Sequence, residues 1–199
     1  MQMRYWIFIL FVFFSLNSWA QKGRYLSVDE FYQQAFGGEY KTEILWLNKY
    51  LLQQVKVILG HNFRGMRTRF KVQAPLEGQY VHARTAWIFE GIGKTQPITV
   101  GVVIEGRGQG EKARDQIVAV KILEFRESRG GEVRYNTFTD QFISVALGSG
   151  DPPKLDQSID GITGATLSVR AVKKVVTLAL FLHRQTEFSV ISRAHEVID

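Results

Sequence analysis

The sequence predicts an α+β fold in which an antiparallel sheet is packed with helices. Two β-branched runs carry the sheet, residues 97–104 and 117–125, and a Gly-rich stretch between them turns the chain back. The helical layer is read from about 168 to 184, where Val172, Val175, Val176, Ala179, Leu180 and His183 recur on one side. With 199 residues, 45% hydrophobic and 22% charged, the balance is that of one globular domain.

Residues 1–20 stand apart from that domain. Arg4 gives a positive start, 5–14 is an unbroken apolar run, and Ser18-Trp19-Ala20 has the small-x-small pattern of a cleavage site. This is the layout of a secretory signal peptide cut after Ala20. The alternative is a retained anchor, because residues 15–20 extend the run toward the ~20 residues of a spanning helix. Either reading puts the remainder outside the cytoplasm, in the periplasm or at the outer face of the cytoplasmic membrane.

Charge and cysteine content narrow the chemistry. The chain has no Cys, which excludes disulfide staples, thiol redox chemistry, iron–sulfur ligation and Cys-linked haem. Electron chemistry would have to come from a bound organic cofactor. The formal charge of +6 becomes +5 when the one cation of the leader, Arg4, is removed. These cations are scattered, so nucleic acid is not the expected partner. They suit a face that meets an anionic membrane or an acidic redox partner, or a merely solvated surface.

In order along the chain, residues 21–63 read as an N-terminal helical segment and 64–199 as the main domain, with its core at about 81–184. Ser27 and Glu30 form a capping-box signature before the first helix, which Gly37-Gly38 breaks. Ile44, Leu47, Leu51, Val55 and Ile58 then recur at helical intervals up to Gly60, predicting a second helix. Strand character follows at 67–72 and 81–89, then in the two β-branched runs joined by a long hairpin loop through Gly106, Gly108 and Gly110. These glycines do not fit a strand–Gly-x-Gly-x-x-Gly–helix unit, so no dinucleotide fold is indicated. A short helix is expected at 139–145, a Gly-Pro loop at 148–153, and then the closing helix, whose Lys173, Lys174 and Arg184 argue against a membrane span. His61, His82, His183 and His195 have no metal-ligand spacing, and His183 falls on the buried side of its helix.

Chemistry concentrates just before that helix, in Asp160-Gly161-Ile162-Thr163-Gly164-Ala165-Thr166-Leu167-Ser168. Gly164 and Ala165 carry almost no side chain, so a bulky group can approach the backbone beside Thr166. The helix behind offers unpaired N–H groups and the positive end of its macrodipole, which favour a phosphoryl group. The plainer reading is a loop with Thr166 or Ser168 as helix N-cap.

This spacing resembles the Asp-x-x-(Ser/Thr)-Gly-Ala-Thr signature of the FMN-binding-domain family, which includes the flavin-carrying subunits of the Rnf and sodium-pumping quinone reductase complexes. The resemblance covers roughly 81–184. It implies that a flavin transferase joins FMN to Thr166 through a phosphoester, with Asp160, Thr163, Gly164, Ala165 and Ser168 around the attachment point. Asp160 would assist attachment, or cap a turn. The family's segment bordering the flavin ring corresponds here to Glu127-Ser128-Arg129-Gly130-Gly131-Glu132, with Arg129 in place of Pro. Glu127, Ser128 and Arg129 are therefore expected near the cofactor, and Arg126 and Arg129 are candidate cations for tuning it, or parts of a solvated loop. Trp87 would stack on the flavin or pack in the core, and Lys94 would face the cofactor or sit in a hairpin turn. The expected protein is an exported electron carrier, with a membrane or soluble redox partner and a docking face for a membrane surface. The alternatives are a flavin-dependent reductase of a small molecule and a non-redox assembly module with a vacant site.

Overall fold

The strand runs form a six-stranded antiparallel sheet of order β1-β6-β5-β4-β3-β2. The computed structural model describes residues 23–60, 69–75, 84–108 and 112–190. The expected leader at 1–20, residues 67–68 and 81–83 of the expected strands, His61, His82, His195 and the Gln109-Gly110 part of the loop lie outside them. The elements are β1 (Gly23–Arg24), α1 (Val28–Phe36), β2 (Tyr40–Trp46), α2 (Lys49–Leu59), β3 (Arg69–Pro75), β4 (Arg84–Ile92), β5 (Pro97–Arg107), β6 (Arg114–Phe125), α3 (Asn136–Thr139) and α4 (Thr166–His183). The fold is α+β, as the residue pattern predicts.

The N-terminal segment departs from the expectation of helix throughout. The capping box is present: Ser27 Oγ accepts from the Glu30 N–H at 3.2 Å, and the Glu30 carboxylate accepts from the Ser27 N–H at 2.9 Å. Beyond Gly37-Gly38, however, Tyr40–Trp46 is a strand paired along its length with β3. Tyr40, Thr42, Ile44 and Trp46 alternate along it, and β-branched and aromatic residues suit a half-covered edge. The second helix begins only where Asn48 Oδ1 accepts from the Leu51 N–H at 2.9 Å. Ile44 and Leu47 fit the spacing of that helix by coincidence of period.

The short helix expected at 139–145 is instead shorter and earlier, at Asn136–Thr139. α3 and a 3-10 turn at Asp140–Phe142 precede an extended stretch. There Ser144 takes φ 66°, and Val145 accepts the Ile117 N–H at 2.9 Å.

Helices cover both faces of the central strands. α4 lies along β4, β5 and β6, burying Val172, Val175, Val176, Ala179 and Leu182 against Trp87, Val100, Val102 and Val120. Trp87 is wholly buried, and its Nε1 donates to Thr85 Oγ1 at 2.9 Å, so it belongs to the core. Among the described residues no helix is long and apolar enough to cross a membrane. On the other face α1 sets Phe31 on Gly101, where a Cβ would stand 2.6 Å from the Phe31 ring and 2.8 Å from Leu123.

At the C-terminal end of α4 a polar cluster is enclosed. His183 Nδ1 meets Thr85 Oγ1 at 2.7 Å, and Nε2 lies 3.3 Å from Asp115 Oδ1, an ion-pair distance without hydrogen-bond alignment. Asp115 also accepts from Ser189 Oγ at 2.6 Å and the Val190 N–H at 3.0 Å. Burial alone would raise the Asp115 carboxyl, but His183, Ser189 and the Val190 N–H outweigh it and hold the group below the ordinary carboxylate value.

Gly101→Ala drives a methyl into Phe31 and Leu123, and is expected to lower unfolding free energy by ~1–3 kcal/mol in denaturant titration. Asp115→Ala leaves the buried Ser189 hydroxyl and the Val190 N–H without their acceptor, at an expected cost of ~1–3 kcal/mol at neutral pH. A lowered folded value means that the Asp115 contribution is present above the unfolded value of ~3.9 and is lost as pH falls through the folded one. Denaturation between neutral and acid pH should show wild-type stability collapsing toward that of the variant below about pH 4.

Candidate functional site

Thr166 is the first residue of α4, and it stands exposed. The chain reaches it through a turn in which the Ala165 N–H donates to the Ile162 carbonyl at 3.0 Å. Gly164 takes φ +83°, and nothing lies within 4 Å of where its Cβ would be. Only a residue without a Cβ enters that conformation freely, and here it leaves the approach to Thr166 open.

Neither Thr166 nor Ser168 caps the helix, which corrects the capping expectation. The N-cap is Ala165, without a side-chain acceptor, and the first intrahelical bond runs from the Val169 N–H to the Ala165 carbonyl at 3.0 Å. The N–H groups of Thr166, Leu167 and Ser168 therefore face outward at the positive end of an 18-residue helix. Such N–H groups suit an oxyanion. Thr163, Gly164 and Asp160 are exposed beside it, and the Asp160 N–H is held by Gln141 Oε1 at 2.7 Å.

A groove of about 570 Å³ opens at Thr166, within the ~300–1,000 Å³ of small-molecule sites. Val169, Arg170, Lys173, Lys174 and Thr177 of α4 form one wall, Val57 and Ile58 of α2 another, and the loop from Pro152 to Gly161 closes the third side. From Thr166 to Thr177 it runs roughly 16 Å along the helix at 1.5 Å per residue. The loop is pinned by its own contacts. Asp156 pairs with Arg114 and accepts the Ala146 N–H at 2.9 Å, and Arg184 donates to the Leu147 carbonyl at 2.6 Å.

The 127–131 segment meets α4 on a different side. Gly130 packs directly on Ser168, and a Cβ there would also stand 3.4 Å from Ala165. At ~100° per residue, Ser168 lies about 200° around the helix from Thr166, so the segment and the groove flank the helix start from opposite sides. Ser128 and Arg129 are exposed there. Arg126 is committed elsewhere, to Glu124 at 2.6 Å and Glu90 at 3.3 Å. Lys94 sits exposed in the β4–β5 turn.

Glu127 turns inward beneath that turn. Its Oε1 accepts from the N–H groups of Thr95 at 2.6 Å and Gln96 at 2.8 Å, and its Oε2 from Thr95 Oγ1 at 3.3 Å. Burial would raise its carboxyl, yet these backbone donors prevail and hold it below the ordinary value. Its work is to fasten the β4–β5 hairpin beside α4, where a Cβ on Gly91 would stand 2.9 Å from the Ala171 carbonyl. Sequence reasoning missed the groove's basic wall. Its signal was the i, i+4, i+7 recurrence of Thr166, Arg170 and Lys173 on one side of the helix. Glu127→Ala removes an ionised acceptor shared by two backbone donors, and is expected to lower the melting free energy by ~1.5–3 kcal/mol.

Residues 93–180 match the model of the FMN-binding domain. No curated protein matches the chain, and no solved structure does. The match runs from the β4–β5 turn to the last turns of α4, taking in both the segment under Glu127 and the helix mouth at Thr166. The chain thus carries an FMN-binding domain over residues 93–180 and is a flavin-binding protein.

Proposed function

We propose that the chain is an exported electron-transfer flavoprotein in which a phosphoester joins FMN to Thr166 and the cofactor relays electrons outside the cytoplasm. One observation carries this reading. Thr166 is an exposed hydroxyl, unused as a cap, at an uncapped helix start that opens on a groove of ligand size.

The residues present fit the group. The N–H groups of Thr166, Leu167 and Ser168 would receive the phosphate oxygens, and open space beside Gly164 would admit them. The apolar part of the groove, formed by Ile58, Ile159 and Val169, would exclude water from the body of the cofactor. When bound, FMN supplies one- and two-electron redox chemistry; the chain supplies attachment, orientation and electrostatics. An exposed Thr166 also suits maturation by a separate flavin transferase, since the acceptor oxygen must reach that enzyme's site. The tether has a purpose outside the cytoplasm, where a released FMN would be lost by dilution. Export itself rests on the N-terminal residues, Arg4, the apolar run at 5–14 and Ser18-Trp19-Ala20.

The test is intact mass of the exported chain after co-expression with a flavin transferase. The expected result is a gain of one FMN less one water, retained in Thr166→Ser and absent from Thr166→Ala. An unmodified wild-type mass beside an active transferase would reject the attachment. A colourless product would favour the assembly module instead.

A further inference from the structure

The groove at Thr166 is chemically one-sided. Four cations, Lys154, Arg170, Lys173 and Lys174, line it, and among the described residues no carboxylate does. Lys174 is already used: its Nζ donates to the Leu59 carbonyl at 2.6 Å, tying α4 to the C-terminal end of α2. Among the described residues, Lys154, Arg170 and Lys173 enter no ion pair. The acids nearest in sequence are Asp151, Asp156 and Asp160. None of them lines the groove, and Asp156 is paired with Arg114.

Such a wall costs folding stability, because like charges one turn apart on a helix repel. Arg170 follows Thr166 by four residues and Lys173 by seven, so both share its side of α4, roughly 6 and 10 Å farther along the axis. The opposite wall is apolar, from Val57 and Ile58. A planar apolar body with one negatively charged edge would satisfy both walls at once.

Attached FMN meets that description after reduction. Its phosphate, esterified on both sides, keeps a single negative charge, and this falls at the helix mouth. Uptake of two electrons from a redox donor and one proton from solvent adds one negative charge to the ring. That second charge has no partner at the helix mouth. We propose that Arg170 and Lys173, with Lys154 facing them from the loop, are the counter-charges of the reduced flavin and raise its midpoint potential. The proposal rests on attachment of FMN to Thr166. It assigns the tuning role to the groove cations, in place of Arg126, which is bound to Glu90 and Glu124, and of Arg129, whose segment flanks the helix start on the side opposite the groove. Half-burial of Lys173 lessens solvent screening and makes it the stronger contributor.

The experiment is an equilibrium redox titration against a reference dye, on protein whose flavin loading is first established by intact mass. The variants are Lys173→Gln, Arg170→Gln/Lys173→Gln, the conservative Lys173→Arg, and Lys112→Gln as an equal change of net charge far from the groove. The expected result is a lower potential in Lys173→Gln, lower again in the double variant, and close to wild type in Lys173→Arg and Lys112→Gln. Raising the ionic strength should lower the wild-type potential toward that of the double variant, a readout that needs no substitution. A fully loaded, folded double variant with an unchanged potential overturns the proposal. An equal fall in Lys112→Gln overturns it too, by showing an effect of net charge alone. A wild-type chain without the flavin mass instead rejects the attachment, and the proposal with it.

Discussion

The apolar face of α4 laid along β4, β5 and β6 is the contact on which the remaining arrangement depends. It turns a sheet with one open side into a closed core, and it aims the first turn of the helix at the loop from 152 to 161. Val172, Val175, Val176 and Ala179 are small or β-branched, so the helix sits close to the sheet. Gly91 makes this closeness explicit, since no Cβ could be accommodated between β4 and the backbone of α4. A smooth apolar face alone would still allow the helix to slide or turn.

The enclosed polar cluster at the other end removes that freedom. His183 on α4 is tied to Thr85 on β4 and faces Asp115 on β6, while Asp115 also holds Ser189 and Val190 beyond the helix. A shift of one helical turn, ~5.4 Å, would leave these groups buried without partners. The position of Thr166 is thus set from the far end of its own helix, by residues remote from the helix mouth. Lys174 adds a second restraint sideways, through the Leu59 carbonyl of α2.

Much of this was legible in the residues, and what was not has physical causes. The closing helix, the β5–β6 hairpin and the exposed hydroxyl at Thr166 are local features, governed by period and by the small side chains of Gly164 and Ala165. The strand at Tyr40–Trp46 was hidden because Ile44 and Leu47 extend the helical spacing of α2 backwards, and only Asn48 marks the break. The groove could not be read at all, because α2 and α4 meet across 115 residues of sequence, between Leu59 and Lys174. Glu127 carries the expected residue type at the expected place, yet its carboxylate is spent on the N–H groups of Thr95 and Gln96. A motif gives the identity of a side chain, and packing decides which way it faces.

The short strand Gly23–Arg24 pairs with Phe125 and Glu124, at the end of β6 that leads into the 127–131 segment and so to the start of α4. The polypeptide therefore joins the sheet at the end that carries Thr166, and the buried His183 cluster lies at the opposite end. Anything that held the chain upstream of Gly23 would act like a short leash, keeping the helix mouth turned toward its point of fixation. In an electron carrier, distance governs the rate of exchange. A single two-residue strand would then decide how near the helix mouth stands to that point of fixation.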